Sequence, residues 1–402
     1  MKITEVRLRR VEGSLPTELP LWEDRLVRPI DVYPEFRDKN IFEGGVQIDG
    51  IFRIITHFVE IDTDEGLVGR AGPVPEAIAQ IIASSLRSFL VGRDPIASEA
   101  LWDQMLRMLV HGRQGNAMLA ISAIDCALWD LRGRWLGQPV YRLLGGPTRA
   151  CIPAYASMLG FSVTDMELVR ERAIAYKEAG FFAQKWFFRH GPSAGFEGLA
   201  ANVLLVKTVR EAVGVDYDIM FDCWQAMDVS YVTELAFRIE QYRPRWLEEV
   251  AMPDRIDSYK RIQGRTNIPL AGAEHEYTRW GFTRWFESGA LDVVQPDIYW
   301  AGGLSEVLKI AAAASAHDLM TIPHGHSAAA TLHFSLAQSP AHTPFQEHLE
   351  IWNRIHQYFL LHPVVPENGL LIPNDEPGLG MELDVSHIEH EEYVFASNRA
   401  SW

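Results

Sequence analysis

Five carboxylates and one imidazole recur along the second half of the chain at nearly even spacing. They are Asp222, Glu248, Glu274, Asp297, His324 and Glu347, separated by 26, 26, 23, 27 and 23 residues. Each closes a short apolar run: DIMFD, RWLEE, IPLAGAE, DVVQPD, LMTIPH and TPFQE. Asp222, Glu248 and Glu274 offer only oxygen, the donor set of a hard divalent cation such as Mg²⁺. Asp297 and His324 read as a dyad, because a carboxylate on one imidazole nitrogen fixes the tautomer and raises the basicity of the other. Such a set would chelate a substrate carboxylate, remove the neighbouring carbon-bound proton with His324 and stabilise the enediolate with metal charge. Reprotonation then gives racemisation, and loss of a β-hydroxyl gives dehydration. A protonated Glu347 would donate a hydrogen bond to a developing oxyanion.

Each assignment has a plainer counterpart. One acid at a strand end is commonly a helix cap or half of an ion pair; three in register favour a metal. Glu249 should face away from Glu248 if its strand stays regular, and the spacing leaves open which of the two binds the cation. His326 shares the segment of His324 but lies two residues further into the loop. Lys185, two residues before Phe187, reads equally as a substrate ligand or an ion pair.

Residues at these spacings must be carried by repeated units. About 25 residues is one strand, one helix and two loops. CIPAYAS (151–157) and FFAQKWFF (181–188) precede the six runs, making eight strands. Helical segments at 164–179, 197–213, 229–242, 256–263, 278–288 and 303–317 lie between them. Alternation of this kind predicts a parallel (β/α)8 barrel, whose strand ends converge on one mouth. Upstream, residues 1–10 and 51–62 read as strands, and 75–91, 96–111 and 115–137 as helices. In the last of these, Met118, Ile121, Ile124, Leu128, Leu131 and Trp135 recur at the spacing of one buried face, with Asp125 a candidate structural acid. The organisation expected is an α+β capping domain over 1–140, a barrel over 141–364, and a segment 365–402 packing back on the cap. The long aromatic and charged stretch at about 20–53 reads as a substrate-specificity loop.

Composition is that of a globular protein: 402 residues, 48% hydrophobic, 22% charged. A net charge of −16 argues against nucleic acid or an anionic membrane as partner. Cys126, Cys151 and Cys223 form neither a zinc cluster nor an even disulfide set, which fits a reducing compartment. MKITEVRLRR lacks an apolar signal core, and no window offers a membrane span, so a cytoplasmic enzyme is expected.

The chain resembles the mandelate racemase branch of the enolase superfamily. The resemblance rests on DCALWDLRG, PVYRLLGG, FDCW, WLEE, AEHEYTRWGF, QPDIYWAGGLSE, PHG and PGLGMELD (377–384). It implies a capping domain over a modified barrel, a Mg²⁺ site, and proton abstraction alpha to a carboxylate. It implies Asp222, Glu248 and Glu274 as ligands and His324 with Asp297 as the base dyad. It also implies a homo-oligomer, between dimer and octamer, and a small-molecule substrate. LWEDRLVRP, KxxxxxGPxxG around Lys185, FDCWQAMDVSY and TPFQEHL are similar to acid-sugar dehydratases of the rhamnonate type. That likeness implies loss of water from a sugar acid to give a 2-keto-3-deoxy acid, with Glu347 near the enediolate. It makes Trp22, Arg25, Lys185 and His275 candidates for touching substrate.

Three residues depart from the pattern. Phe187 replaces the second lysine of the racemases' K-x-K, which favours one-face chemistry. Leu21 stands where the rhamnonate enzymes carry a histidine. Ala273 replaces the usual glycine before the third metal ligand, a methyl expected to change backbone freedom little. The leading expectation is a Mg²⁺-dependent aldonate dehydratase acting on an L-rhamnonate-like acid. The alternatives are a racemase, epimerase or cycloisomerase on the same scaffold, and a non-catalytic sugar-acid binder.

Overall fold

The computed structural model describes residues 1–17, 20–37 and 47–394. Residues 38–46, the middle of the expected specificity loop, and 395–402 lie outside the described residues.

The N-terminal sheet is antiparallel. β1 (Ile3–Pro16) pairs with β3 (Ile51–Thr63), which also carries β2 (Gln47–Ile48) and β4 (Val68–Val74). The C-terminal strand His390–Val394 adds to the free side of β1, with Leu8 opposite Val394. β1 and β3 are longer than expected, and β4 was not anticipated; GRAGP within it reads as a turn. The helix Asn116–Leu136 buries Met118, Ile121, Ile124, Leu128 and Leu131 completely or nearly so. Trp135 does not join that face. It lies in the last turn, beyond the core, and is 45% exposed.

Two aspartates of this helix tie the parts together. Asp130 accepts from the backbone N–H of Arg70 and of Leu379, both at 2.8 Å, so the PGLG turn is fastened to the cap. The helix also passes so close that a Cβ on Gly133 would stand 2.5 Å from the Cα of Gly378. Asp125 accepts from the N–H (2.9 Å) and hydroxyl (2.6 Å) of Ser305, and so holds the start of the helix Leu304–Ser315.

The second sheet contains eight parallel strands: β5 (Ile152–Ser157), β6 (Ala183–Phe187), β7 (Asp218–Asp222), β8 (Leu247–Glu248), β9 (Leu270–Gly272), β10 (Val293–Val294), β11 (Met320–Thr321) and β12 (Gln346–Leu349). The ladder is continuous from β11 back to β5 and on to β12. The remaining gap is spanned where Thr321 N–H donates to His342 O at 2.8 Å and the Thr343 hydroxyl donates to Thr321 O at 2.9 Å. Helices separate the strands, and one of them, Ala328–Ala337, was not expected from its weakly amphipathic, almost wholly buried sequence. The fold is therefore a barrel with an antiparallel cap. No helix among the described residues is long and apolar enough to cross a membrane.

Strand periodicity organises the interior. Tyr155, Ala183, Met220, Trp246, Ala271, Val293, Ile322 and Phe345 form one buried apolar layer, with a contribution from every strand or its flank. Trp246 stacks on Phe345 (6.2 Å, 14°), and alanines fill the narrow places. Side chains two residues apart share a face of a strand. The next inward positions are therefore Ser157, Lys185, Asp222, Glu248, Gln295, His324 and Glu347, and all of them are buried.

Candidate active site

The polar layer lies immediately above the apolar one, at the carboxyl ends of the strands. Lys185 occupies its centre. The Lys185 Nζ lies 3.2 Å from Asp222 Oδ2, 2.8 Å from Glu347 Oε1 and in closer contact with Glu248 Oε1. Those three carboxylates hold the lysine pKa well above its ordinary value against the desolvation that lowers it. The Lys185 ammonium also stands 5.3 Å from the ring of Phe187.

Asp222 and Glu248 are opposite each other in the β7–β8 ladder. Glu248 is fully buried; its other oxygen accepts from Trp246 Nε1 at 2.9 Å and Gln295 Nε2 at 2.8 Å. Burial pushes Asp222 up to about 6, Lys185 pulls it down, and Glu274 and Glu249 add to the rise. Burial likewise raises Glu248 and Glu274, with like-charged neighbours reinforcing both shifts.

β9 breaks the simple alternation. Counting by two from Ala271 would put Ala273 inward; instead Ala273 adopts φ +75°, and the following residue, Glu274, enters the site. The methyl of Ala273 thus occupies left-handed backbone, a conformation that glycine adopts without strain. β8 ends in the same way. It stops at Glu248, and Glu249 has φ +45°. The irregular backbone keeps Glu249 at the mouth, where the expected opposite-face orientation would have removed it. Its carboxylate meets His275 Nδ1 at 3.0 Å and Gln225 Nε2 at 3.1 Å. One ligand atom each from Glu249, Glu274 and His275 falls within a mutual 4.8 Å. Two sets of acids thus compete for the description of a cation site, and Glu274 belongs to both.

The dyad is formed. His324 Nδ1 is 2.9 Å from Asp297 Oδ2, leaving Nε2 directed at Glu274 Oε2, 3.8 Å away. Asp297 also accepts from Tyr299 N–H at 2.7 Å, which fixes its orientation. Trp300 packs on the His324 ring at 4.9 Å. Burial lowers the basicity of His324, but Glu274, Asp297 and Glu347 outweigh it and raise its pKa to about 10.

Glu347 is the opposite case. Burial alone would push it up, but Lys185 and His324 pull it below its ordinary value. It is a carboxylate here, accepting from Gly325 N–H at 2.9 Å. Lys185 and a protonated His324 thus favour the anionic form of Glu347 over the protonated donor expected from the sequence.

The remaining candidates divide. His275 lies at the mouth, against Trp300 at 5.3 Å and Trp224 at 6.2 Å. Burial lowers its pKa, but Glu249 and Glu274 bring it up to about 9. Trp22 packs beside Trp352 at 6.1 Å. Arg25 is a strut of the N-terminal loop, bonded to Asp31 Oδ1 at 2.7 Å and to the carbonyls of Phe36 (3.1 Å) and Arg37. Sequence reasoning overlooked Gln295, Trp246 and Trp300. Gln295 was discoverable, since it shares a strand face with Asp297 two residues later.

Comparison with known proteins places the chain in a family. The family model "Enolase C-terminal domain-like" matches residues 167–387, and "Mandelate racemase / muconate lactonizing enzyme, N-terminal domain" matches residues 54–145. The L-rhamnonate dehydratase of Saccharopolyspora erythraea is 36% identical over 399 residues, spanning 96% of this chain and 97% of that protein. The structure of rhamnonate dehydratase from Gibberella zeae complexed with Mg superposes with TM-score 0.82 at 30% identity, covering 96% of this chain and 95% of that one. The 3,6-anhydro-D-galactonate cycloisomerase from Zobellia galactanivorans superposes with TM-score 0.78 at 30% identity, covering 97% and 100%. The chain belongs to the mandelate racemase branch of the enolase superfamily and is an enzyme of the hydro-lyase class.

Proposed function

We propose that the protein is a Mg²⁺-dependent dehydratase of an aldonic acid related to L-rhamnonate, producing the 2-keto-3-deoxy acid. The observation that carries this reading is the His324–Asp297 pair at 2.9 Å, with the free imidazole nitrogen turned toward a ring of buried acids. The names of the relatives support the substrate class.

Asp222, Glu248 and Glu274 would hold the cation. Their chemistry fits it: all donors are oxygen, all three groups are buried, and burial destabilises each as an anion. Glu248 is preferred to Glu249 because it is the ladder partner of Asp222 and follows the inward register from Trp246. When bound, Mg²⁺ supplies positive charge for a chelated carboxylate and its enediolate. Burial lowers the His324 pKa and Glu274 does most to raise it. With the Glu274 charge offset by a bound cation the imidazole is neutral, and Nε2 takes the α-proton with Nδ1 held by Asp297. Lys185 neutralises Glu347 and orients the carboxylate end of the substrate. The β-hydroxyl then leaves as water with the proton His324 has taken, and the enol tautomerises to the 2-keto acid. Phe187, buried and apolar, offers no second base on the opposite face, so dehydration is favoured over two-base racemisation.

The test is a stereochemically broad panel of sugar acids with Mg²⁺, detecting 2-keto-3-deoxy acids with wild type and His324→Asn. Product from one stereochemical series, lost in the variant, supports the reading. Solvent-deuterium exchange at the α-carbon without keto acid would sink it and favour racemase or cycloisomerase chemistry.

A further inference from the structure

A cavity of about 590 Å³ lies between the cap and the barrel, beside the dyad. That is within the usual range for small-molecule sites, roughly 300–1,000 Å³. One wall is the inward face of β3: Phe52, Ile54 and Thr56, at alternate positions. The other carries His326, from the turn after β11, with Trp352 and His356 from the helix Glu350–His356. The two imidazoles meet edge to face, 4.2 Å apart, and Trp352 packs on His356 at 4.5 Å. His326 also adjoins the reaction centre: its ring lies 6.2 Å from that of His324, and its Nδ1 lies 4.0 Å from Asp297 Oδ2.

The Nδ1 atoms of His326 and His356 are buried and have no hydrogen-bond partner among the described residues. A buried polar nitrogen without a partner is destabilised until something supplies one. Burial holds both rings neutral, His356 at about 3. A neutral imidazole has one donor and one acceptor, and a hydroxyl can satisfy either, whereas a carboxylate can use only the donor and gains no opposite charge there. Among the described lining residues Arg53 alone carries a fixed charge, and it is already paired with Glu12. The rest of the wall is largely apolar.

We infer that His326 and His356 are specificity-determining residues that read the hydroxyls at the uncharged far end of the substrate, selecting a monoacid chain with an apolar terminus over a diacid. This rests on the dehydratase reading for the placement of the carboxylate end. The acid end lies over Lys185 and the carboxylates, the α-carbon faces His324, and the chain then passes His326 into the cavity. Among the described residues a second carboxylate there would meet two neutral rings and no cation without a carboxylate partner, so diacids of the same length are disfavoured.

The experiment uses the full-length protein with Mg²⁺. The six-carbon probes are L-rhamnonate, D-gluconate and L-mannonate; galactarate is the diacid, and glycerate is too short to reach the cavity. Wild type, His356→Phe and His326→Gln are compared, with thermal melting to verify folding. The ratio of kcat/KM for the best six-carbon acid to that for glycerate should fall about tenfold in His356→Phe, through KM rather than kcat, as expected for one lost hydrogen bond that leaves a hydroxyl unpaired. His326→Gln, which keeps a donor and an acceptor, should retain more of that ratio than His356→Phe. Galactarate should be turned over by none of them. An unchanged ratio, or galactarate as the best substrate, overturns the assignment. If wild type turns over nothing, the dehydratase reading fails separately. Calorimetric binding of the same acids then decides: about tenfold weaker binding in His356→Phe supports the assignment, and equal affinity or no binding by either overturns it.

Discussion

Two consecutive layers of the same barrel are built from the same eight strands, two residues apart, and have opposite chemistry. The lower layer, from Tyr155 to Phe345, is apolar and sealed. The upper layer holds Lys185, Asp222, Glu248, His324 and Glu347 in equal burial. The lower layer is relieved by burial, whereas the upper one is strained by it, as the raised carboxyl pKa of Asp222 records. The floor therefore supplies rigidity and the ring supplies chemistry. Trp246 belongs to both, since its ring packs in the floor while its Nε1 bonds Glu248.

The strongest way to break this division is to exchange the damage. Trp246→Ala removes a side chain that is 1% exposed, and should destabilise the protein by about 3–5 kcal/mol in denaturant unfolding. His324→Asn should leave the unfolding midpoint nearly unchanged while lowering kcat by about a thousandfold, the scale of a lost general base. If the second substitution unfolds the protein as much as the first, the two layers do not have separate roles.

A smaller effect sharpens the comparison within the ring. Glu248 follows the floor's register and Glu249 departs from it through its positive φ. Glu248→Gln should weaken Mg²⁺ binding by more than about 100-fold in calorimetry. Glu249→Gln, which removes the charge facing His275 and Gln225, should weaken it by roughly tenfold. The reverse order would transfer the ligand role to Glu249 and to its cluster with Glu274 and His275.

A third test concerns an imidazole away from both layers. His333 is a buried core histidine whose Nδ1 accepts from Tyr141 N–H at 3.1 Å; burial brings its pKa down to about 4. Its folded value lies below its unfolded value near 6.5, so its contribution to stability is complete above pH 6.5 and is lost as pH falls toward 4. Wild type should lose about 1.4 kcal/mol per pH unit across that window relative to His333→Gln. Comparing the two proteins is essential, because Asp222 and Asp125, raised by burial to about 6 and about 7, act in the opposite direction over the same range. Unfolding midpoints between pH 7.5 and 4.5 provide the measurement.

The ring was legible in the sequence because its residues end apolar strands at a constant interval, and an apolar run ending in an acid is a pattern of types. The helices between strands were legible for the same reason, by periodicity. The helix Ala328–Ala337 was not: it is buried nearly all round, and an all-apolar segment has no face to announce. Trp135 was misread because a repeat of three and four residues does not say where the partner surface ends. The cavity with His326 and His356 was invisible for a deeper reason. Its walls are about 300 residues apart in sequence, from Phe52 to Trp352, and only the docking of cap on barrel brings them together.

Ala273 shows the finest limit. Its type suggests an ordinary strand residue, and its conformation, φ +75°, is one that glycine adopts without strain. The methyl is buried, so Ala273→Gly also exposes the unfolded chain's extra freedom and removes a little apolar burial. Left-handed backbone costs an alanine about 1–2 kcal/mol, and the added chain entropy returns about 0.4–1 kcal/mol of that. The net expectation is a gain of roughly 0.5 kcal/mol in unfolding free energy for Ala273→Gly, the smallest effect considered. Its interest lies in the accompanying chemistry. Ala273 immediately precedes Glu274, and the left-handed turn is what directs that carboxylate inward in place of the methyl. If the turn is imposed by the barrel, Mg²⁺ affinity should be the same in both proteins and only stability should rise. If the methyl itself stiffens the turn, the glycine variant should bind Mg²⁺ more weakly, and the position of the third carboxylate would depend on a local backbone restraint in addition to the floor beneath it.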